Sequence, residues 1–202
     1  MSVRIDPKTD ALIVVDVQRD FCPGGALAVP DGDQVVPAIN RLLTMTDWLT
    51  IATRDWHPPD HCSFKTQGGI WPIHCVADTD GAAFHRALQT SRIRHVVSKA
   101  AAKDAEAYSG FQGTDLARLL QSRGILRVFV CGLATDYCVK ATALDARKAW
   151  LEVIVLTDAV RGVEIRPGDC AKAVEEMTTA GIVLRASGEL QAGKLLGSST
   201  AA

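Results

Sequence analysis

At 202 residues the chain is the length of one domain or a small pair, and with 48% hydrophobic residues it can bury a large core, which excludes a disordered protein. Its 22 basic and 23 acidic residues leave a formal net charge of −1, which argues against a general binder of nucleic acid or of membrane surfaces. There is no internal repeat, and the only low-complexity stretch is a small polar tail at 198–202.

The first six residues carry charge before any apolar run, so no signal peptide is expected. The run at 11–15 is a strand's length, far short of a membrane span. Six cysteines are scattered with no C-x-x-C, in a chain too rich in core to need disulfides. These features predict a reducing, cytoplasmic setting, with most thiols acting as small buried hydrophobes.

In chain order, residues 11–15 form a continuous apolar run that ends at Asp16, as expected for a strand buried on both faces. The glycines and prolines of 21–32 predict a loop, after which Asp33 is expected to cap a helix carrying Val36, Ile39, Leu42 and Leu43 at helical spacing. Residues 48–53 predict a second strand, ending at Arg54-Asp55. The segment 58–81 has little periodicity and is rich in Pro, Gly, Cys and aromatics; unstructured segments this long are usually functional or disordered, and Phe64, Ile70 and Trp71 favour order. A third strand at 93–98 ends at Lys99, and a second irregular stretch runs through Tyr108 to Phe111. A helix with Leu116, Leu119 and Leu120 on one face stops at Gly124. The fourth strand, 128–131, leads into a helix expected from about Asp136 to Trp150. A fifth strand at 152–156 ends at Thr157-Asp158, a helix at 170–180 stops at Gly181, and a sixth strand follows at 182–184.

Alternating strands and helices, with strands written as apolar runs, predict one α/β domain over 1–202: a three-layer, mostly parallel six-stranded sheet with helices on both faces. In such sheets the ligand site lies beyond the C-terminal ends of the strands. Asp16, Asp55, Lys99 and Cys138 all fall there. Cys138 stands where a strand gives way to a helix start, whose partial positive charge and free N–H groups favour a thiolate and an oxyanion. Asp16 is placed to take the thiol proton, Lys99 to hold Asp16 as a carboxylate and favour the thiolate, and the N–H groups of Ala134 and Cys138 to form an oxyanion hole. Asp55 and His57 lie two apart in an extended segment, so their side chains point the same way, and His74 can return to complete a divalent-metal ligand set. A D-x-H pair alone is a weak signal, and Cys62 and Cys75, each beside a histidine, remain a minor zinc-ligand alternative. Phe21, Trp71 and Tyr108 fall in the irregular segments facing the same edge, where they line an apolar slot or anchor the loops to the core.

The residues Asp16-Val17-Gln18-Arg19-Asp20-Phe21 with Gly24-Gly25-Ala26-Leu27, Arg54-Asp55-Trp56-His57-Pro58, Trp71-Pro72-Ile73-His74-Cys75, Lys99 and the stretch from Gly132 to Cys138 resemble the nicotinamidase (pyrazinamidase) branch of the isochorismatase-like cysteine hydrolases. The similarity runs from about Asp10 to Asp158. It implies hydrolysis of nicotinamide to nicotinate and ammonia, a step of NAD salvage, with pyrazinamide as a further substrate. Cys138 would form a thioester, Asp16 would carry protons to ammonia and from water, and Lys99 would complete the triad. Asp55, His57 and His74 would hold one divalent ion, Zn2+ first, with Fe2+ or Mn2+ as alternatives. His61 stays outside that set, since water can fill the remaining positions. Phe21 and Trp71 would sandwich the ring, with Tyr108 close by. Leu133-Ala134 would be a cis peptide that aims the Ala134 N–H, and both residues would contact substrate. The implied partner is a small molecule, with neither nucleic acid nor membrane, and a homo-oligomer is compatible with the chain. Two enzyme alternatives stand beside this one. Amidases of carbamoyl or ureido compounds lack the Asp-x-His with a later His, and isochorismatases proper lack the nucleophilic cysteine. A third reading, a non-catalytic module on the same fold, fits poorly with a retained triad.

Overall fold

The apolar runs become strands because each is covered on both faces. In the computed structural model, which describes residues 2–193 and so leaves the polar tail outside them, eight strands and four helices follow one another. They are β1 (Val3–Ile5), β2 (Asp10–Val15), α1 (Val35–Met45), β3 (Leu49–Asp55), β4 (His95–Lys99), α2 (Leu116–Ser122), β5 (Arg127–Leu133), α3 (Lys140–Lys148), β6 (Glu152–Arg161), α4 (Asp169–Thr179), β7 (Val183–Arg185) and β8 (Leu190–Ala192). Six strands form one sheet in the order β4-β3-β2-β5-β6-β7, every neighbouring pair parallel. From β2 the chain winds one way through β3 and β4, then returns to β5 and winds the other way. Ligands of open parallel sheets bind at such a reversal.

Side chains on successive strand residues point to opposite faces. Leu12 and Val14, with Phe129, Cys131, Ile154 and Leu156, pack against Val35, Ile39 and Leu42 of α1. Ala11, Ile13 and Val15, with Val128, Val130, Val153 and Val155, pack against Leu116 and Leu120 of α2, Ala143 and Ala146 of α3 and Met177 of α4. Each fully buried Leu, Ile or Val contributes about 1.5–3 kcal/mol relative to exposure, so the two layers hold the sheet's end edges in fixed register. No helix among the described residues is long and apolar enough to cross a membrane.

Three expectations need correction, and one pair of strands went unread. Asp33 lies inside a single 3-10 turn (Gly32–Gln34), and no side-chain hydrogen bond caps α1. Helix α3 starts at Lys140 rather than near Asp136; before it, residues 135–139 form a wide π turn in which the N–H groups of Tyr137 and Val139 converge on Ala134 C=O at 3.1 and 3.0 Å. Strand β6 continues past Thr157-Asp158, because a register shift against β5 between Val130 and Gly132 absorbs that exposed polar pair. The short parallel pair of β1 with β8 left no apolar run long enough to read from sequence.

Candidate active site

Register brings the strand-end residues together. Asp55 and Lys99 are direct partners across β3 and β4, and the Asp16 N–H donates to Thr53 C=O at 3.2 Å just beyond β2. Asp16 has φ 47°, a left-handed conformation that an Asp tolerates better than most residues. On the other flank, Gly132 has φ 112°, and a Cβ there would run into the Val15 backbone, so only glycine lets β5 approach β2 at this point. The Leu133–Ala134 peptide that follows is cis.

Asp16, Lys99 and Cys138 meet beneath the edge. Lys99 Nζ lies 3.0 Å from Asp16 Oδ2 and 3.5 Å from Cys138 Sγ, donates to Ala107 C=O at 3.1 Å, and makes a short contact with Asp55 Oδ1. Thr53 Oγ1 donates to Asp16 Oδ1 at 2.6 Å. Asp16 Oδ2 is left without a well-directed hydrogen bond, and an oxygen of the Asp16 carboxylate lies within 4.8 Å of the Cys138 sulfur. Burial pushes the Asp16 carboxyl above the usual carboxylate range, against the pull of Lys99 and with a further push from Asp55. Burial also pushes the Cys138 thiol well up; Lys99 counters it and the two aspartates add to it. For Lys99, burial works against the ammonium, yet Asp16, Asp55 and Cys138 together hold it charged well above the usual lysine range. A buried acid and a buried thiol that both hold a proton more tightly than usual thus face each other, with a fixed cation beside them. That arrangement favours transfer once the thiol attacks.

Asp55 also faces the two histidines. His57 Nε2 lies 3.6 Å and His74 Nε2 4.0 Å from Asp55 Oδ2. The opposite ring nitrogens are engaged by backbone carbonyls: His57 Nδ1 by Ala100 at 3.1 Å and His74 Nδ1 by Pro72 at 2.8 Å. A carbonyl only accepts, so each Nδ1 carries the proton and each Nε2 presents a lone pair. Burial lowers the His74 pKa, which keeps that ring neutral. Burial is outweighed at Asp55, chiefly by Lys99, and its carboxyl stays well below the usual range. The buried His57 Nε2 has no hydrogen-bond partner. Three ligand atoms rich in lone pairs and within 4.8 Å of one another, two oriented by backbone carbonyls, are the chemistry of a divalent-cation site. His61 stacks on His57, ring centroids 4.3 Å apart, but its own nitrogens are taken by Ser63 Oγ and Ala105 C=O. All six cysteines are free, and neither Cys62 nor Cys75 joins the group.

A cavity of about 450 Å³ opens above these groups. Phe21, Trp71, Tyr108, Leu133, Ala134, Cys138, Asp55 and His74 line it, so the expected ring-contact residues share one wall system with the thiol and two of the three metal-type ligands. Asp16 and Lys99 do not line it; they sit behind Cys138, away from anything bound there. Trp71 Nε1 donates to Tyr108 Oη at 2.9 Å, and Tyr137 meets the Trp71 ring edge-on with centroids 5.2 Å apart.

Tyr137, Leu27, Val29, Glu106 and Val163 complete the lining without having been singled out from sequence. Tyr137 had a signal, an aromatic beside the thiol. The others sit in segments whose path no periodicity sets. Gln18 was missed although it lies in a recognised motif: fully buried, its amide accepts the Asp55 N–H and donates to Asp55 C=O, each at 2.8 Å, fixing the end of β3.

Known proteins resemble this chain in sequence and fold. Residues 10–187 match the Isochorismatase domain. The nicotinamidase of Escherichia coli is 42% identical over 201 residues, covering 86% of this chain and 93% of that protein. Among solved structures, PnC1 from L. infantum in complex with nicotinate superposes with a TM-score of 0.92 at 41% identity, over 96% of this chain and all of that one. The pyrazinamidase of Pyrococcus horikoshii in complex with zinc superposes with a TM-score of 0.82 at 51% identity, over 88% of this chain and 98% of that one.

Proposed function

The chain belongs to the isochorismatase domain family, and from that premise we propose that it is an amidohydrolase of one domain that converts nicotinamide to nicotinate and ammonia, and accepts pyrazinamide. The observation that carries this reading is the Lys99 ammonium between Asp16 Oδ2 at 3.0 Å and Cys138 Sγ at 3.5 Å, directly behind the thiol on the wall of an aromatic cavity. The aromatic and apolar lining of that cavity, with the thiol and two metal-type ligands on its wall, suits a flat heteroaromatic amide.

The chemistry follows from the proton inventory. As Cys138 Sγ bonds to the amide carbon, its proton passes to Asp16, whose Oδ2 is otherwise met by the Lys99 ammonium at 3.0 Å. Lys99 compensates the negative charge through the transfer. The N–H groups of Ala134 and Cys138 serve the tetrahedral oxyanion. Asp16 then returns the proton to nitrogen, the C–N bond breaks, ammonia leaves and a thioester remains. Water attacks the thioester carbon, gives its proton to Asp16, and the C–S bond breaks to release the acid. Asp16 finally reprotonates the sulfur. Phe21 and Trp71 hold the ring between them, with Tyr108 fixed against Trp71.

Asp55, His57 and His74 would hold the divalent ion, and we favour Zn2+ because two imidazoles and a carboxylate suit it. When bound, it would supply a Lewis-acid anchor that orients the ring. The setting we favour is NAD salvage in the cytoplasm, with small molecules as the protein's partners.

The test is ammonia release across a panel of small amides, with chelated and metal-supplemented protein and with Cys138→Ala. Nicotinamide and pyrazinamide should lead the panel, chelation should remove a stoichiometric metal and most turnover, and Cys138→Ala should be inactive yet folded. Preference for a carbamoyl or ureido substrate, or substantial turnover by Cys138→Ala, would refute the reading.

A further inference from the structure

The wall of the cavity is made in part by Val163, in the loop that follows β6. That loop leaves the sheet after the last ladder pair, Leu133 with Arg161. Its far end is anchored by Glu164, whose carboxylate accepts the N–H groups of Gly168 and Cys170 at 2.6 and 2.9 Å, before and at the start of α4. Between these anchors one side chain holds the backbone. Asp136 Oδ1 accepts the Val163 N–H at 2.9 Å and Oδ2 accepts the Glu164 N–H at 2.8 Å. Among the described residues no other hydrogen bond reaches the backbone of 162–165. Asp136 is itself buried, stands two residues before Cys138 in the π turn, and does not line the cavity. Gly162 permits the close approach: a Cβ there would run into Cys170 Sγ and come within 3.1 Å of Asp136 Oδ1.

We propose that Asp136 is a positioning residue that clamps the Val163 wall to the nucleophile turn and thereby sets how closely the cavity fits an aromatic ring; this rests on the reading of the cavity as an aromatic-amide site. Both carboxylate oxygens are spent on backbone N–H groups, bonds to a charged acceptor that are stronger than neutral ones. Losing them frees the loop while leaving Asp16, Lys99 and Cys138 in place. The effect therefore belongs in substrate affinity and ring selectivity, with the bond-making steps spared.

The experiment compares wild type with Asp136→Ala, Asp136→Asn, Val163→Ala and Asp136→Ala/Val163→Ala. It reads amide hydrogen exchange at 163 and 164, KM and kcat for nicotinamide and a ring-methylated nicotinamide, and the rate of Cys138 alkylation by iodoacetamide. Asp136→Ala should speed exchange at both amides and raise KM for nicotinamide about tenfold, with kcat and alkylation within about twofold of wild type. The ring-methylated amide should lose less than nicotinamide. Asp136→Asn, which keeps one carbonyl acceptor, should fall between. In the double variant the Asp136 change should add little to Val163→Ala, since the wall it positions is gone. Unchanged exchange at 163 and 164 overturns the clamp. Faster exchange with an unmoved KM overturns the role in ring fit. A fall in kcat with altered alkylation assigns Asp136 to the nucleophile turn instead. Wild type that hydrolyses no aromatic amide refutes the functional reading, and exchange at the two amides then still separates a clamped loop from a free one.

Discussion

Strand β2 begins on one buried aspartate and is followed at once by another, and the two are treated in opposite ways. Asp10, at the amino end, is fully satisfied: Arg127 reaches it twice, at 3.1 Å to Oδ1 and 2.5 Å to Oδ2, and the Asp6 N–H adds 2.8 Å to Oδ2. The same guanidinium also donates to Arg4 C=O at 2.9 Å, tying β1, β2 and β5 together. Asp16, one strand length away, shares a lysine with Asp55, lacks a well-directed hydrogen bond at Oδ2, and holds its proton more tightly than an ordinary carboxyl. A bidentate Arg–carboxylate pair gives a fixed structural join. A carboxylate with an unspent lone pair beside a thiol gives a place for a proton to go. Equal burial does not imply equal purpose; the state of the second oxygen separates the two.

Exchanging the two roles is the most direct way to break this contrast. Asp16→Asn should cut turnover about 1,000-fold, since an amide cannot take the thiol proton. Its effect on stability has two opposed parts. Burial raises the folded-state pKa of Asp16, so its stabilising contribution is present below the unfolded value and is lost as pH rises through the folded one, and the amide removes that loss. Against this, the amide leaves the buried Lys99 ammonium with Asp55 as its remaining carboxylate neighbour, which costs stability. A variant that keeps a tenth of the turnover would place Asp16 with Asp10 as a structural residue.

The converse substitution has a smaller effect, on a different axis. Asp10→Asn should cost about 2 kcal/mol, because it weakens two charge-assisted bonds and leaves Arg127 half-paired in a partly buried place. Turnover per folded molecule should stay at wild type, since Asp10 lies at the far end of the strand from Cys138. Denaturant midpoints measured alongside initial rates decide it.

Much of this contrast was legible in the sequence for a simple reason. A parallel strand buried on both faces is written as an apolar run, and the first polar residue after the run marks the sheet edge. Asp16 was found by that rule, Asp55 and Lys99 as the residues closing two less purely apolar strands, and parallel register then brought them to one side. The rule failed where polarity did not end a strand: Thr157-Asp158 sit inside β6, where the register shift against β5 accommodates them and Asp158 takes the Ser187 N–H and Oγ–H. It was silent on Glu106 and Val163, because their path is set by tertiary hydrogen bonds such as those of Asp136 and not by any local repeat. The π turn was equally hidden. Its residues carry the pattern of an α-helix, and only the convergence of two N–H groups on Ala134 C=O separates the two.

The thiols repeat the contrast in a weaker form and supply its smallest test. Cys138 has Lys99 within 3.5 Å, a cation that can stabilise a thiolate. Cys22 is buried with no such neighbour; burial, with Asp33 adding to it, pushes its pKa from 9.0 up to about 11. The raised folded value means that Cys22 contributes stability below pH 9.0, where both states are protonated, and that this contribution is lost as the pH climbs toward 11. In that window the unfolded chain ionises first. Cys22→Ala removes the titration, so the gap between wild type and variant, measured by urea unfolding at pH 8 and again at pH 10.5, should narrow or reverse at the higher pH. A gap that stays constant across the window would mean that the surroundings of Cys22 are polar enough to accept the charge, and the Lys99 cation would no longer be what sets Cys138 apart from it.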